Sequence, residues 1–304
     1  MKVSRANGAG RAFLDLQNRA RRERRGTQEL LTMYVLERFL ARLAASPYAT
    51  DFVLKGGLLL AALNARRPTA DADLLATRLA NDRQLVTARI REIAALELPQ
   101  DDGVRFLIDT ATGSGIRETD VYAGVRISME ARVASAAVKL KLDVNFGDPV
   151  TPGPVLVEYP RLRAEVGAVR VLGYPIATVL AEKVTTAIDL GAANTRVRDY
   201  ADIWVLTGIH DLPYGEIRAA VEATAAHRSV PVMKLSDSIG DLAQRRQQPY
   251  IAYRRRLGMD GGSLPGQFAD VTAAVIAFAD PILAASAADC VWRGGVRAWQ
   301  PGER

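Results

Sequence analysis

Two short stretches decide the fold: Phe52-Val-Leu-Lys-Gly-Gly57, and Thr69-Ala-Asp-Ala-Asp73 twelve residues beyond the second glycine. Residues 52–54 are apolar and predict a short buried strand. The glycine pair predicts a turn into a helix that runs to Leu63, and residues 72–76 predict another short strand. The order is therefore strand, Gly-Gly, helix, Thr-x-Asp-x-Asp, strand.

The carboxylates of Asp71 and Asp73 are two residues apart, so on a strand they point to the same face. Two carboxylates held so close repel each other unless a divalent cation lies between them, which predicts a magnesium site. Gly56 and Gly57 would let backbone N–H groups approach a phosphate without obstruction by side chains. Each half also has a plainer interpretation, since Asp-x-Asp is typical of a solvated strand edge and Gly-Gly of a simple turn.

Together, the two stretches resemble the nucleotidyltransferase superfamily that includes polymerase-β-like enzymes. The motif Lys55-Gly-Gly57 resembles in particular that of the AbiEii/MenT-type toxins of type IV toxin–antitoxin systems. The resemblance implies Mg²⁺ as cofactor and transfer of a nucleotide from an NTP to RNA, including the 3′ end of tRNA. It assigns Lys55, Gly56, Gly57 and Thr69 to nucleotide binding, although threonine stands where the family more often has serine.

The resemblance also predicts a third carboxylate on a later strand. Asp143 supplies it, in the stretch Lys141-Leu-Asp-Val-Asn-Phe146 near the end of the best strand pattern in the chain. By resemblance, Asp143 completes a metal site with Asp71 and Asp73 or takes the proton from the attacking hydroxyl. These three aspartates are thus the predicted catalytic metal ligands.

Two further motifs lie in the helical half of the chain: Ala181-Glu-Lys183, and Arg196-Val-Arg-Asp-Tyr-Ala-Asp202. Asp199 and Asp202 are three residues apart and share a helix face. Without the family, a surface ladder of ion pairs explains them, each pair contributing less than about 1 kcal/mol. The resemblance instead implies that Lys183 binds the triphosphate as a catalytic residue, that Asp199 positions Lys183 or the nucleotide, and that Asp202 supports nucleotide binding.

Strand patterns dominate from Val104 to Val171, the first of them over residues 104–108, and helical patterns dominate after Pro175. This predicts an α+β, bilobed protein. Residues 1–174 would form a nucleotidyltransferase lobe with a mixed sheet and a helical N-terminal segment over 1–47, and residues 175–304 a helical lobe.

The chain has 304 residues, of which 49% are apolar, enough for a real core. No apolar run approaches the roughly 20 residues of a membrane span, and no signal-peptide pattern opens the sequence, so we expect a cytoplasmic protein. The single cysteine, Cys290, cannot form an internal disulfide.

The net charge of +6 suits a polyanionic partner. Two basic clusters are candidates for RNA binding, with a solvated surface as the alternative: residues 19–25, and a group in which tyrosines alternate with arginines. The second group comprises Arg245, Arg246, Tyr250, Tyr253, Arg254, Arg255 and Arg256.

Three functions fit these observations. The first is a toxin that adds nucleotides to RNA, at the tRNA 3′ acceptor end, blocks translation, and is neutralised by a cognate antitoxin protein. The second is nucleotidyl transfer to a protein or small-molecule acceptor. The third is an inert RNA- or protein-binding module that keeps the fold.

Overall fold

The computed structural model describes residues 3–118 and 122–302. Its α-helices are α1 Gly8–Glu23, α2 Thr27–Ala45, α3 Gly56–Leu59, α4 Arg83–Ala95, α5 Ile176–Leu190, α6 Val197–Ile209, α7 Tyr214–His227, α8 Leu235–Ile239, α9 Leu242–Arg256 and α10 Phe268–Leu283. Its strands are β1 Phe52–Lys55, β2 Ala72–Ala76, β3 Val104–Glu118, β4 Tyr122–Val133, β5 Ala136–Phe146, β6 Val155–Tyr159, β7 Val169–Gly173, β8 Leu212–Pro213, β9 Cys290–Arg293 and β10 Ala298–Pro301.

The chain divides into two compact units. The first comprises Met1–Ala62, Arg66–Gly147 and Val155–Gly173, and the second comprises Leu63–Ala65, Asp148–Pro154 and Tyr174–Arg304. The helices and the mixed sheet confirm the predicted α+β class.

A seven-stranded sheet forms the centre of the first unit, in the order β3-β4-β5-β2-β1-β7-β6. β2 runs parallel to β5, β1 runs parallel to β7, and the remaining pairs are antiparallel. On β5, buried Val138, Leu140 and Leu142 alternate with exposed residues, as expected for a strand that is covered on one face only.

Helix α2 packs on the sheet and carries charged side chains into the core. Arg42 forms a salt bridge of 2.7 Å with Asp102, and its guanidinium lies 4.8 Å from the centre of the Phe106 ring. Glu37 is fully buried and accepts hydrogen bonds from the Arg38 guanidinium and the Leu162 amide. These buried charges are tolerated because each has a partner of opposite charge.

Two sequence predictions in this unit were wrong in extent. The helix after Gly56 ends at Leu59 and does not reach Leu63. Strand β3 continues well beyond the predicted end at Ile108, because a bulge absorbs the break in alternation. Leu107 pairs with Glu130 and Thr112 with Ser128, so four β3 residues lie opposite one residue of β4.

The second unit contains helices α5 to α10 and a small sheet in the order β10-β9-β8. The prediction of helices alone was therefore incomplete. Trp292 and Trp299 pair across β9 and β10 and pack on Phe278 at ring distances of 5.2 and 5.7 Å. This aromatic cluster fixes the short hairpin on α10.

The helices in the described ranges are either too short or too polar to cross a membrane.

Candidate active site

One row of side chains crosses four adjacent strands of the large sheet. Lys55 lies opposite Asp73 in the antiparallel β1–β2 pair, and Asp73 lies opposite Asp143 in the parallel β2–β5 pair. Arg126 on β4 lies opposite Asp143 in turn. Directly paired residues project from the same face of a sheet, so these four side chains share one face.

Gly56 makes room for the carboxylate of Asp73. Its φ of +64° is in the left-handed region, and a Cβ at this position would lie 1.9 Å from Oδ2 of Asp73. Only glycine avoids both the strain and the clash. The glycine that we expected to line a phosphate site therefore also seats the carboxylate of Asp73 directly against the backbone.

Gly57 is close to a second cation. A Cβ here would lie 3.0 to 3.2 Å from the guanidinium of Arg67, so Arg67 packs over the glycine backbone. A guanidinium beside exposed amide groups suits a phosphate. Because α3 is only four residues long, its helix dipole adds little, and the backbone amides and nearby cations carry this part of the argument.

Asp71 precedes β2, where it is held by Thr69. The Thr69 hydroxyl lies 3.1 Å from both the carbonyl oxygen and Oδ1 of Asp71. Asp71 thus lies immediately before β2, whose bounds are those predicted, and its side chain is fixed locally. Thr69 can position a metal ligand, a role different from the predicted contact with the nucleotide.

Arg126 forms a bidentate salt bridge with Asp143: Nε donates to Oδ1 at 2.8 Å and Nη2 donates to Oδ2 at 2.6 Å. The hydrogen bonds and charge of Asp143 raise the pKa of Arg126, burial opposes the rise, and the charges of Asp71 and Asp73 add to it. All three carboxylates thus act on the same guanidinium. Arg126 and Arg67 are the two residues near this row that the sequence analysis did not identify.

The donors around this row suit a hard cation such as Mg²⁺, which prefers carboxylate oxygens. Both oxygens of Asp143 accept from Arg126, and each keeps a lone pair for a second partner. Within residues 3–118 and 122–302, no three Asp, Glu, His or Cys side chains are grouped closely enough to hold a metal ion. The carboxylates of Asp73 and Asp143 share one face and fit Mg²⁺ in chemistry, but with Asp71 they do not form a closed set of ligands in this conformation.

Lys183 of α5 and two aspartates of α6 form a cluster in the second unit. Nζ of Lys183 lies 2.9 Å from Oδ1 of Asp199 and 2.8 Å from Oδ2 of Asp202. The side chains are only 14%, 13% and 4% exposed, so the surface ion-pair alternative is wrong here. Burial raises the pKa of Asp199, but the charge and hydrogen bond of Lys183, together with Arg196 and Arg198, lower it to below its usual value.

The basic cluster on α9 is only partly available for RNA. Arg245 and Arg246 donate to backbone carbonyls of the turn at 192–194, and Arg254 donates to the carbonyl of Gly261. Tyr250 is fully buried and its hydroxyl donates to the carbonyl of Pro265, so it cannot stack on a base. Arg245, Arg255 and Arg256 are exposed, and of these Arg245 is held by the backbone contact just described.

Arginines of the N-terminal cluster are also engaged within the protein. Arg19 donates to Glu23 and to the carbonyl of Leu162, and Arg25 pairs with Glu29. These contacts leave less charge for RNA than the sequence suggested.

This chain is similar to known proteins in sequence and in structure. Solved structures that are similar to it include JHP933 from Helicobacter pylori, with 14% identity over 86% of this chain and 94% of that chain and a TM-score of 0.49. Another is an antigenic nucleotidyltransferase-like protein from Paracoccidioides brasiliensis, with 12% identity over 68% of this chain and 92% of that chain and a TM-score of 0.38. No curated protein sequence matches the chain. The family model for the nucleotidyl transferase AbiEii toxin of type IV toxin–antitoxin systems matches residues 38–275, and the chain therefore belongs to the AbiEii nucleotidyltransferase toxin family.

Proposed function

We propose that this protein transfers a nucleotide from an NTP to the 3′ hydroxyl of RNA, at the acceptor end of tRNA, with Mg²⁺ held by Asp71, Asp73 and Asp143. The observation that carries the proposal is the row of Lys55, Asp73 and Asp143 on one sheet face, with Gly56 directly beneath the carboxylate of Asp73. Cations, carboxylates and exposed backbone amides together suit a nucleoside triphosphate better than a ligand that lacks phosphate.

In the reaction, the 3′ oxygen forms a bond to the α-phosphorus, and the bond from that phosphorus to the bridging oxygen breaks to release pyrophosphate. Bound Mg²⁺ would polarise the phosphate and bring the attacking and leaving oxygens into line. The hydroxyl proton passes to water, because in this proposal the oxygens of Asp143 are engaged by Arg126 and by the metal. Lys55, Arg67 and the Gly56-Gly57 amides offset charge on the leaving phosphates.

Lys183 belongs to the same proposed reaction as a ligand of the triphosphate. Asp199 and Asp202 hold its ammonium group from two sides, which fixes the direction of a side chain that is otherwise flexible. In this role both aspartates position Lys183, and neither needs to touch the nucleotide.

The test is to incubate the purified protein with each labelled NTP, Mg²⁺ and total tRNA, and to resolve the products. We expect label on the RNA with the wild type, and a loss of more than about 100-fold in Asp73→Asn, because even outer-sphere partners of a metal contribute 10- to 100-fold. Asp109→Asn is the matched control, since Asp109 is an exposed carboxylate on the same sheet. Transfer at the wild-type rate by Asp73→Asn would refute the assignment of Asp73 to the catalytic metal site. Label on a protein or a small molecule, and not on RNA, would show that the proposed acceptor is wrong.

In the cell, modified acceptor ends would block translation in the cytoplasm, and a cognate antitoxin would neutralise the activity. We expect expression of the wild type to arrest growth and expression of Asp73→Asn to permit it. Arrest by both proteins would show that the toxicity does not depend on nucleotide transfer.

A further inference from the structure

A basic face lies beside Asp143 on the same side of the sheet. On β5, Lys139 and Lys141 precede Asp143 at alternate positions, and both are exposed. Only six residues of the chain are lysines, so this strand carries a third of them. Alternation and register place the following residues of β3 and β4 on this face: Arg105, Thr112, Ser114, Arg126, Ser128, Glu130 and Arg132.

The side chains form successive rows that lead away from Asp143. In the strand register, Lys141 lies opposite Ser128, Lys139 lies opposite Glu130, and Arg132 lies opposite Arg105. Since a strand rises about 3.3 Å per residue, rows are about 6.7 Å apart and the last row is about 20 Å from Asp143. A depression of about 320 Å³ lies along the way, lined by Thr112, Ser128 and Lys139 among others. A cavity of about 710 Å³ lined in part by Arg105 and Arg132 lies at the far end.

Beyond the row of Asp143 and Arg126, the cations of this face form no salt bridge with another described residue. Among the described residues, Arg105, Arg132, Lys139 and Lys141 have no acidic group within salt-bridge distance, unlike Arg25 or Arg42. Among the positions paired between strands beyond the Asp143 row, the face therefore presents four positive charges and one negative charge, that of Glu130. Hydroxyl groups between the cations add hydrogen-bond donors for phosphate oxygens.

We infer that strands β3, β4 and β5 bind the sugar-phosphate backbone of the RNA acceptor, with Arg105, Arg132, Lys139 and Lys141 as phosphate contacts and the 3′ end directed toward Asp143. The inference rests on the proposed function, since it names the surface that holds the acceptor of that reaction. It assigns the main RNA contact to the sheet and not to α9, where three arginines are bonded to backbone carbonyls. Of the four cations only Arg105 lies on an edge strand, where a charge can also serve only to prevent aggregation.

The decisive experiment measures binding of a fluorescently labelled single-stranded RNA and of unfractionated tRNA by anisotropy, without NTP or metal, between roughly 50 and 200 mM salt. The double variant Lys139→Glu/Lys141→Glu should bind RNA more weakly. Its plot of log affinity against log salt should be shallower by about 1.4 for the single strand, since each lost phosphate contact removes about 0.7. The variant Lys139→Arg/Lys141→Arg keeps the charges and should bind as the wild type does.

The double variant Arg255→Glu/Arg256→Glu applies the same change of charge to α9. We expect a smaller loss than in the sheet variant. Wild-type affinity and salt slope in Lys139→Glu/Lys141→Glu would overturn the inference, as would a larger loss in the α9 variant or absence of RNA binding by the wild type. Lys139→Gln/Lys141→Gln repeats the test with neutral side chains, should the reversed charges impair folding.

The binding assay needs no chemistry, so the two proposals fail separately. If the wild type transfers nucleotides to RNA and the sheet variant binds RNA fully, only the proposal for the basic face is refuted. If the sheet variant binds RNA more weakly and the wild type transfers no nucleotide from any NTP, only the proposed reaction is refuted.

Discussion

The guanidinium of Arg126 donates a hydrogen bond to each carboxylate oxygen of Asp143, with Nε 2.8 Å from Oδ1 and Nη2 2.6 Å from Oδ2. The pair crosses from β4 to β5 and lies in the row that also contains Asp73 and Lys55. A planar guanidinium fixes the plane of a carboxylate as well as its position. The orientation of Asp143 thus depends on a residue from a neighbouring strand.

Replacing Arg126 should therefore impair nucleotide transfer without preventing NTP binding. For Arg126→Gln we expect kcat to fall by about 10- to 100-fold, the usual effect of removing a group that orients a metal ligand. Arg126→Lys should restore little, because an ammonium group cannot make the two parallel bonds. Steady-state kinetics at saturating Mg²⁺ would check this, and a rise in KM for NTP at constant kcat would contradict the positioning role.

Gly56 should tolerate no side chain. Gly56→Ala combines the cost of a left-handed alanine, roughly 1 to 2 kcal/mol, with a clash against Asp73. We expect a lower free energy of unfolding and loss of nucleotide transfer.

Gly147→Ala is the matched control, because Gly147 also has a positive φ, of +82°, but has open space where its Cβ would be. Urea unfolding and a transfer assay on both variants separate the backbone cost from the clash. Equal effects of the two substitutions on transfer would contradict the conclusion that Gly56 makes room for the carboxylate of Asp73.

Lys183 should stabilise the second unit in a pH-dependent way. The pKa of Asp199 is below its usual value of 3.8 in the folded protein, so its ionised form contributes stability above about pH 3.8, and this contribution is lost as pH falls lower. In Lys183→Met the effect of burial on the pKa dominates, and the loss should begin at a higher pH. The substitution should also cost about 3 kcal/mol, as when a buried ion pair loses one partner.

Urea midpoints measured across a pH series would test this, with Lys183→Arg as the control that keeps the charge. The same pH profile for the wild type and Lys183→Met would refute the cluster as the source of the effect.

Arg246 should matter for stability more than for RNA. Its guanidinium donates to the carbonyls of Asn194 and Ala193, so Arg246→Ala should cost about 1 to 2 kcal/mol. Arg255→Ala, at an exposed position, should change stability by less than about 0.5 kcal/mol. Thermal unfolding and RNA anisotropy on both variants would check this, and a stable Arg246→Ala that had lost RNA binding would reverse the assignment.

Much of the first unit was predictable because its signals are local. Strands β1 and β2, the glycine turn and the two aspartates lie within 25 residues, and β5 has clear alternation up to Asp143. Arg126 was not predicted, since its contact with Asp143 depends on the register between β4 and β5, and no local pattern around Arg126 shows that register. Assigning the hairpin first and then asking which polar residue lies opposite Asp143 would have found it.

The second unit was less predictable because tertiary contacts override local pattern. The two tyrosines of α9, Tyr250 and Tyr253, look alike in sequence, yet Tyr250 packs on Phe268 at a ring distance of 5.0 Å and is buried. Likewise, β9 and β10 are four residues each and form because two tryptophans meet Phe278. Short strands held by distant aromatic rings have no periodicity to detect.

The parallel pairing of β2 with β5 has a consequence for biosynthesis. Lys55 and Asp73 can meet as soon as β1 and β2 have been made, but Asp143 joins them only after some 70 more residues have left the ribosome. A growing chain therefore carries an incomplete set of carboxylates until the large sheet is nearly whole. Under the proposed function, a nascent chain would therefore be inactive in nucleotide transfer until β5 has been made and has paired with β2.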